Sequence, residues 1–289
     1  MKKSYLLLHL SVVLLGFSGI FGKLVTLNEG LITFYRVLFS SIILFFIVRV
    51  YKVNMKISLS EKLKIGRVGL LITVSWLLFY ASIKYSNISI GVVCYCMASF
   101  FKAIFDPLVN RRKIKISELL LSGLTILGIS LIFHFDSSYK IGIILGVISP
   151  AFASLYTICN QKLVRTYDSK LINYYQMISG TVVLGLLLPI YLHYFPEKSV
   201  IPSFKNTIYL FLLAGFCTVF IYITFTEILK KLSAFTVNLS LNLEPLYAII
   251  IAFIFFNEGR EVNLSFYIGL FFVMLSVVIQ TVISLKRSK

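Results

Sequence analysis

Charged residues are scarce in this sequence: they make up 13% of its 289 residues, whereas about 25% is usual for a soluble domain. Acidic residues are the rarest, 11 against 28 Lys and Arg, which gives a formal net charge of +17. An excess of basic residues can indicate a nucleic-acid partner. Here the basic residues fall between apolar runs instead of along one polar face, so we expect no nucleic-acid binding.

Cysteine is also scarce, and its positions give no sign of a metal site. All four residues lie inside apolar runs: Cys94, Cys96, Cys159 and Cys217. Cys94 and Cys96 are two residues apart, so on a helix they point to nearly opposite sides and cannot chelate a metal from one face. We interpret the four as buried, inert thiols and expect neither a metal nor a cofactor.

Catalytic motifs are almost absent. There is no HExxH, no Walker A loop and no G-x-G-x-x-G after a strand. "GFSG" at Gly16–Gly19 matches the G-x-S-G string of rhomboid-type serine proteases, whose chemistry needs a histidine base near the serine. His9, His134 and His193 all lie near predicted helix ends, and Ser18 is too far from His9 along the same helix to bond with it. We expect no enzyme and no catalytic residue, and keep an intramembrane protease as an alternative.

Apolar residues, by contrast, are abundant: 58% of the chain is hydrophobic, with 26 Phe. One soluble core cannot hold such an excess, and many apolar runs are long enough to cross a hydrocarbon core of ~30 Å. Hydropathy predicts an all-α membrane protein with ten transmembrane helices. The predicted spans are Ser4–Val25, Leu31–Val50, Ile65–Lys84, Ser89–Val109, Glu118–Phe133, Ile141–Gln161, Leu171–Tyr191, Thr207–Leu229, Ala234–Phe256 and Leu264–Leu285. We interpret the first as a membrane helix and not a signal peptide, since no clear cleavage site follows it.

The basic residues indicate how the helices are threaded. If the N-terminus is cytoplasmic, the cytoplasmic segments hold 20 of the 28 Lys and Arg, and the outer loops and helix ends hold six. Cytoplasmic loops of membrane proteins carry such an excess. One missed span would reverse the side of every later loop and destroy the pattern. We therefore expect both termini in the cytoplasm and the chain in the plasma membrane.

A weak internal repeat relates the two halves. With a shift of 146 residues, residues 67–134 overlay residues 213–280 without a gap, and Trp76 meets Tyr222. In the first helix of each half the echo is "KLV", at Lys23–Val25 and again at Lys162–Val164, a shift of 139.

The repeat must be inverted, because five spans per half is an odd number. The charges agree: "RRK" at Arg111–Lys113 is basic and overlays the acidic "NEG" at Asn257–Gly259. We predict two inverted five-helix repeats, residues 1–135 and 141–285, with a substrate site near the midplane between them. The alternative is an accident of apolar composition.

Three segments carry a family resemblance: "GFSGIFGKL" (Gly16–Leu24), "FYRVLFSSIIL" (Phe34–Leu44) and "ILKKLSAFTVNLSLNLEPLYAIIIAFIFFNEG" (Ile228–Gly259). The last combines a short basic turn, a mid-helix Leu-Glu-Pro and an exit glutamate, Glu258. With them the chain resembles the drug/metabolite transporter superfamily in its ten-helix, EamA-like form. Ser99 and Arg112 depart from that pattern, replacing the usual proline and glutamate. The resemblance implies transport of small metabolites, often export of amino acids or related compounds.

Two charged residues lie deep in the fourth predicted span. Lys102 is nine residues before Arg111, or ~13 Å at the helical rise per residue. A charge at that depth should face the protein interior or a water-filled cavity, and Asp106 at i+4 is its local partner. We expect Lys102 to contact substrate, with an internal ion pair that only orders the helix as the alternative.

Glu244 is the other deep ionisable residue. Asn238 and Asn242 share a helix face, and Pro245 frees a backbone carbonyl one turn back. These groups form a polar patch suited to an ammonium or hydroxyl group, or else interhelical hydrogen bonds. If Lys102 and Glu244 face one cavity, they could hold a zwitterion such as an amino acid by both ends.

Three further side chains complete the predicted substrate site. Arg36 either attracts an anionic substrate or anchors the second helix. Trp76 and Tyr80, four residues apart, form an aromatic wall or pack ordinarily. Glu244 or Asp106 could couple transport to protons. Besides a small-molecule substrate and the bilayer, a homodimer is allowed, and a passive channel is the remaining functional alternative.

Overall fold

The computed structural model describes residues 2–111, 113, 116–135, 139–224, 244–260 and 262–288. Those residues form helices and turns, without a strand. The helices are α1 (Lys2–Leu24), α2 (Glu29–Val50), α3 (Leu59–Tyr85), α4 (Ile88–Tyr95), α5 (Ala98–Asn110), α6 (Ile116–Phe135), α7 (Lys140–Val164), α8 (Ser169–Tyr194), α9 (Phe204–Ala214), α10 (Glu244–Phe256) and α11 (Leu264–Ser288). A π-helical segment, Gly215–Phe220, continues α9, and a 3₁₀ turn, Glu258–Arg260, follows α10.

The prediction of an all-α, multi-pass membrane protein is confirmed. In the described part of the chain, seven helical stretches are long and apolar enough to cross a bilayer: Leu6–Leu24, Glu29–Val50, Leu59–Tyr85, Ile88–Asn110, Lys140–Val164, Ser169–Tyr194 and Phe204–Thr224. They coincide with the first four predicted spans and the sixth to eighth. The other three predicted spans fall on α6, α10 and α11, and the start of the ninth lies outside the described residues.

Side-chain caps fix where several helices begin. Asn28, before α2, accepts the Leu31 backbone N–H at 2.9 Å, and Asn87, before α4, accepts that of Ile90 at 2.8 Å. At α3, Ser58 and Glu61 form a reciprocal capping box. Such caps supply acceptors for N–H groups that have no partner inside the helix. These caps therefore help to fix the first residues of α2, α3 and α4.

The fourth predicted span, Ser89–Val109, is not one continuous helix. It divides into α4 and α5 at Cys96 and Met97, whose N–H groups bond to carbonyls three residues back, at 3.1 and 3.0 Å. Ser154 of α7 supports the break by donating to the Ala98 carbonyl at 2.8 Å. Broken helices are tolerated at membrane depth where other protein groups satisfy the backbone.

Close helix crossings surround this break. α1 packs against α10, α3 packs against α7 and α8, and α6 packs against α11. At the first crossing, a Cβ added to Gly16 would lie 3.2 Å from the Ala248 backbone nitrogen. At the α6–α11 crossing, a Cβ on Gly128 would lie 2.5 Å from the Gly269 carbonyl oxygen. Glycine suits such points because small residues let helix backbones approach each other.

Candidate functional site

A cavity of about 390 Å³ lies between α1, α2, α3, the α4–α5 break, α7, α10 and the helical residues 217–222 that follow α9. Much of its wall is apolar or aromatic, and a few polar side chains face it. Those polar residues are Ser18, Arg36, Tyr95, Ser99, Tyr156, Thr157, Tyr222 and Glu244. A concave, mostly apolar space with a few convergent polar groups is typical of a small-molecule site.

Arg36 is the most enclosed charge in the wall, with 2% of its surface exposed. Its guanidinium carbon lies 3.7 Å from the centroid of the Trp76 ring, a cation–π contact. One terminal nitrogen donates to the Tyr80 hydroxyl at 2.6 Å and to the Ser18 hydroxyl at 3.3 Å. Arg36 therefore connects α2 to α1 and α3 while it keeps its charge beside the cavity.

The π-helical segment after α9 provides the remaining partners of Arg36. Its Nε donates to the Thr218 hydroxyl at 3.0 Å, and a terminal nitrogen donates to the Cys217 carbonyl at 3.3 Å. The Thr218 hydroxyl in turn donates to the Leu213 carbonyl, five residues back, at 3.2 Å. A π-helical turn is wider than an α-helical one, and such segments occur frequently at functional sites. Here it presents two oxygen acceptors to a buried cation.

Glu244 brings a carboxylate to the same cavity at the start of α10, next to Pro245. Arg36 and Glu244, which both belong to the described part of the chain, form no ion pair within 4.0 Å, unlike Lys23 and Glu258. Arg36 and Glu244 therefore share the cavity without pairing directly. Two opposite charges held apart in this way can each bind a separate group of one small molecule.

Aromatic rings form much of the remaining wall. Trp76 and Phe79 line it from α3, with Tyr95, Tyr156 and Tyr222 from three other helices. Tyr156 and Tyr222 are hydrogen-bonded through their side chains, so two of the phenols are fixed in orientation. Rings with polar tips offer both apolar contact and hydrogen bonds to a ligand.

A buried carboxylate ties three helices together near one end of the cavity. Glu258, fully buried, accepts the backbone N–H groups of Ile88 and Ser89, both at 2.9 Å, and the Ser89 hydroxyl at 2.7 Å. Lys23 Nζ lies 3.9 Å from the same carboxylate. The contacts join the ends of α1 and α10 to the start of α4. This start lies one helical turn before Val92, which is in the cavity wall.

A hydrogen bond also links the two halves of the chain at the opposite end, which the basic loops predict to be cytoplasmic. The Tyr167 hydroxyl, in the connection between α7 and α8, donates to a carboxylate oxygen of Glu61 at 2.9 Å. This hydrogen bond raises the pKa of the Tyr167 phenol, because the proton is held against a carboxylate.

The structure brings some of the predicted site residues together and not others. Arg36, Trp76 and Glu244 line the cavity, and Tyr80 lies behind it on Arg36. Asn238 and Asn242 lie outside the described residues.

The placement expected for Lys102 and Asp106 needs correction. Neither lines the cavity, and the Lys102 side chain is exposed on α5. Asp106 is half-buried and accepts a hydrogen bond from Asn110 at 2.6 Å. Lys102 therefore does not share a cavity with Glu244. Counting residues along the helix predicted how deep Lys102 lies but not which face of the helix carries it. Arg36 provides the cationic group in the cavity instead.

The sequence did carry a signal for residues that were missed. In the internal overlay, Trp76 meets Tyr222 and Ser99 meets Pro245, and all four line the cavity. The shift of 139 likewise pairs Ser18 with Thr157, which also lie in the wall. Had the prediction for Trp76 been extended to its repeat partner, Tyr222 would have been found, whereas Thr157 is the partner of Ser18, which was not a predicted site residue.

Comparisons with known proteins agree with this architecture. The sequence model of the EamA-like transporter family matches the chain twice, over residues 2–134 and again over residues 140–282. An uncharacterized transporter of Archaeoglobus fulgidus is 26% identical over 267 residues, which cover 90% of this chain and 91% of the relative. A crystal structure of an unspecified protein superimposes with a TM-score of 0.65 over 98% of both chains, at 11% identity, which shows a shared fold.

Proposed function

Because the chain belongs to the EamA-like transporter family, we propose that it moves small metabolites across the membrane by alternating access. It is a membrane transporter and not an enzyme, with the bilayer and a small molecule as its partners. The mechanism, the substrate class and the direction are our proposal.

The proposed framework is ten spans in two inverted five-helix repeats, residues 1–135 and 141–285. The double match of the family model supports it. Helix packing supports it too, because α1 packs against α10 as α7 packs against α4 and α5. Under the repeat, these are equivalent pairs: the first helix of one half contacts the fourth of the other. Cavity walls built from equivalent positions, such as Trp76 and Tyr222, follow from the same symmetry.

The cavity is the proposed substrate site. The observation that supports this function best is that two opposite charges face the cavity without forming an ion pair with each other. Arg36 contributes a buried guanidinium and Glu244 a carboxylate. A zwitterion such as an amino acid matches this pattern, with its carboxylate toward Arg36 and its ammonium toward Glu244. Trp76 and the tyrosines then contact its side chain. Lys102 has no part in this arrangement.

We interpret the contacts of Glu258 as a closed end of the bundle, and a closed end favours a carrier over a passive channel. A channel needs a continuous opening, whereas Glu258 ties the start of α4 to α10 and α1. We assign this closed end to the outer face, since the excess of basic residues places both termini in the cytoplasm of a plasma-membrane protein. The cavity then loads from the cytoplasm, as export requires.

The test is transport by purified protein in liposomes loaded with unlabelled amino acids. Labelled amino acids, nucleosides and organic cations are offered in turn, with and without a pH gradient, because Glu244 and Asp106 are the candidates for proton coupling. Saturable, exchange-stimulated uptake of amino acids that is lost in Glu244→Gln and in Arg36→Gln supports the proposal. The matched control is Arg67→Gln, an exposed arginine on α3. Non-saturable flux, or equal transport by the variants, contradicts it.

Light scattering of the same preparation determines whether the working unit is a monomer or a homodimer.

A further inference from the structure

We propose that one face of α5 lines the cytoplasmic half of the transport pathway, as a polar track that leads from the cavity to the cytoplasm. The inference rests on the proposed transport function and adds a second set of pathway residues to it. The track consists of Ser99, Lys102, Asp106 and Asn110.

The spacing of these residues places them on a single helix face. They are three, four and four residues apart, and at 100° per residue they fall within an arc of about 80°. Ser99, at the first turn of α5, lines the cavity. Asn110 is the last residue of the helix. The polar face therefore begins in the cavity wall and runs the full length of α5.

The opposite face of α5 has a different character. Phe101 and Phe105 stack with their ring centroids 5.7 Å apart, and Leu108 is 65% exposed. Phe101 packs against the buried cluster that contains Met97 and Phe266, whereas the exposed Leu108 suits contact with lipid. The polar residues of α5 lie away from the side on which Leu108 lies.

Water is the surrounding that the polar face requires. Lys102 is exposed, so its ammonium group is not enclosed by other parts of the protein. Asp106 is only half-buried, and Asn110 donates to it at 2.6 Å. Ionisable groups at membrane depth face water-filled spaces because lipid solvates them poorly. A hydrated vestibule that continues from the cavity satisfies both Lys102 and Asp106.

Lys102 and Asp106 give the track both signs of charge, one turn apart. A zwitterion leaving or entering the cavity can exchange its contacts with water for weak contacts with these groups. Because both side chains are at least partly exposed, such contacts stay weak, and the substrate passes along the track without being held there. Arg36 and Glu244 remain the binding groups, and the track determines access from the cytoplasm.

Thiol labelling tests this assignment in the full-length protein, in membrane vesicles of known orientation. Single substitutions Lys102→Cys, Asp106→Cys and Asn110→Cys are compared with the matched control Leu108→Cys on the opposite face. A charged, membrane-impermeant methanethiosulfonate is added from the cytoplasmic side. Peptide mass spectrometry then identifies the modified residue, so the native cysteines stay in place.

We expect the three track cysteines to react about tenfold faster or more than Cys at position 108, because a thiolate forms readily in water and not in lipid. Equal rates on both faces, or reaction only from the outer side, would overturn the track. Labelling needs no substrate, so the labelling rates can be interpreted even if the transport assay is negative. Failure of the polar track can therefore be distinguished from failure of the proposed transport function. A variant that fails to insert is recognised by loss of labelling at its other cytoplasmic sites and is replaced by Ser99→Cys.

Transport kinetics give a second readout. Lys102→Met should raise KM for a zwitterionic substrate with little change in kcat, and Lys102→Arg should restore it. A loss of kcat that Lys102→Arg does not restore would assign Lys102 a purely structural role and contradict the track.

Discussion

Glu258 caps the start of α4 across 170 residues of sequence: its Oε1 accepts the Ile88 N–H at 2.9 Å. A buried carboxylate is costly unless it is fully hydrogen-bonded. The first N–H groups of a helix supply suitable donors and a favourable dipole. The contact therefore holds the start of α4 against the turn after α10, at the end of the bundle that we propose is closed.

Glu258→Gln should weaken this closure. One side-chain oxygen becomes an amide NH₂ that faces a backbone donor, and a buried hydrogen bond lost in this way costs about 1–3 kcal/mol. We expect a lower Tm in detergent and faster modification of Cys217, in the cavity wall, by an external thiol reagent. Arg260→Gln, an exposed site in the same turn, is the control and should behave as wild type. An unchanged rate at Cys217 would mean that Glu258 does not control access.

Arg36→Lys should impair transport although it keeps the positive charge. Arg36 uses three nitrogens for four hydrogen bonds, including those to Tyr80 and Thr218. A lysine ammonium cannot reproduce this planar arrangement, so we expect kcat/KM to fall by about tenfold or more, or more than ~1.4 kcal/mol. Arg49→Lys, at the exposed end of the same helix, is the matched control. Wild-type kinetics in Arg36→Lys would show that only charge is needed.

Trp76 should act on Arg36 through its ring face. Trp76→Phe keeps an aromatic face but weakens the cation–π contact, which is worth about 0.5–2 kcal/mol. We expect a several-fold higher KM in Trp76→Phe and a larger increase in Trp76→Leu, measured as uptake against substrate concentration. If both variants change KM equally, the ring face makes no specific contribution.

Gly69 and Gly123 should respond in opposite ways to alanine. A Cβ on Gly69 would lie 2.6 Å from the Gln176 Cα, whereas one on Gly123 meets nothing within 4 Å. Gly69→Ala therefore forces α3 away from α8 and should lower Tm. Gly123→Ala should be neutral or stabilising, by up to about 1 kcal/mol of helix propensity. Equal shifts in Tm for the two variants would contradict the close packing at Gly69.

Much of the fold follows from local sequence. The length and hydropathy of each apolar run depend only on neighbouring residues, so the described helix ends lie close to those predicted, except that α3 begins at Leu59 and not at Ile65. The helix break at Cys96 and Met97 could not be placed. Both residues are apolar and helix-compatible, and part of what supports the break is Ser154, which lies 56 residues from Ala98 in sequence. The π-helical segment at Gly215–Phe220 is similar, because its acceptors serve Arg36 of a distant helix.

By itself, the sequence determined that the chain is a multi-pass membrane protein and that Arg36, Lys102 and Glu244 fall inside apolar runs. A position within an apolar run is read from neighbouring residues and needs no tertiary partner. Only the tertiary structure decided which of these charges meet. The face that a side chain presents depends on how its helix is rotated against its neighbours, and close packing at positions such as Gly16 and Gly69 sets that rotation. Arg36 and Glu244 therefore share a cavity, while Lys102 lies outside it.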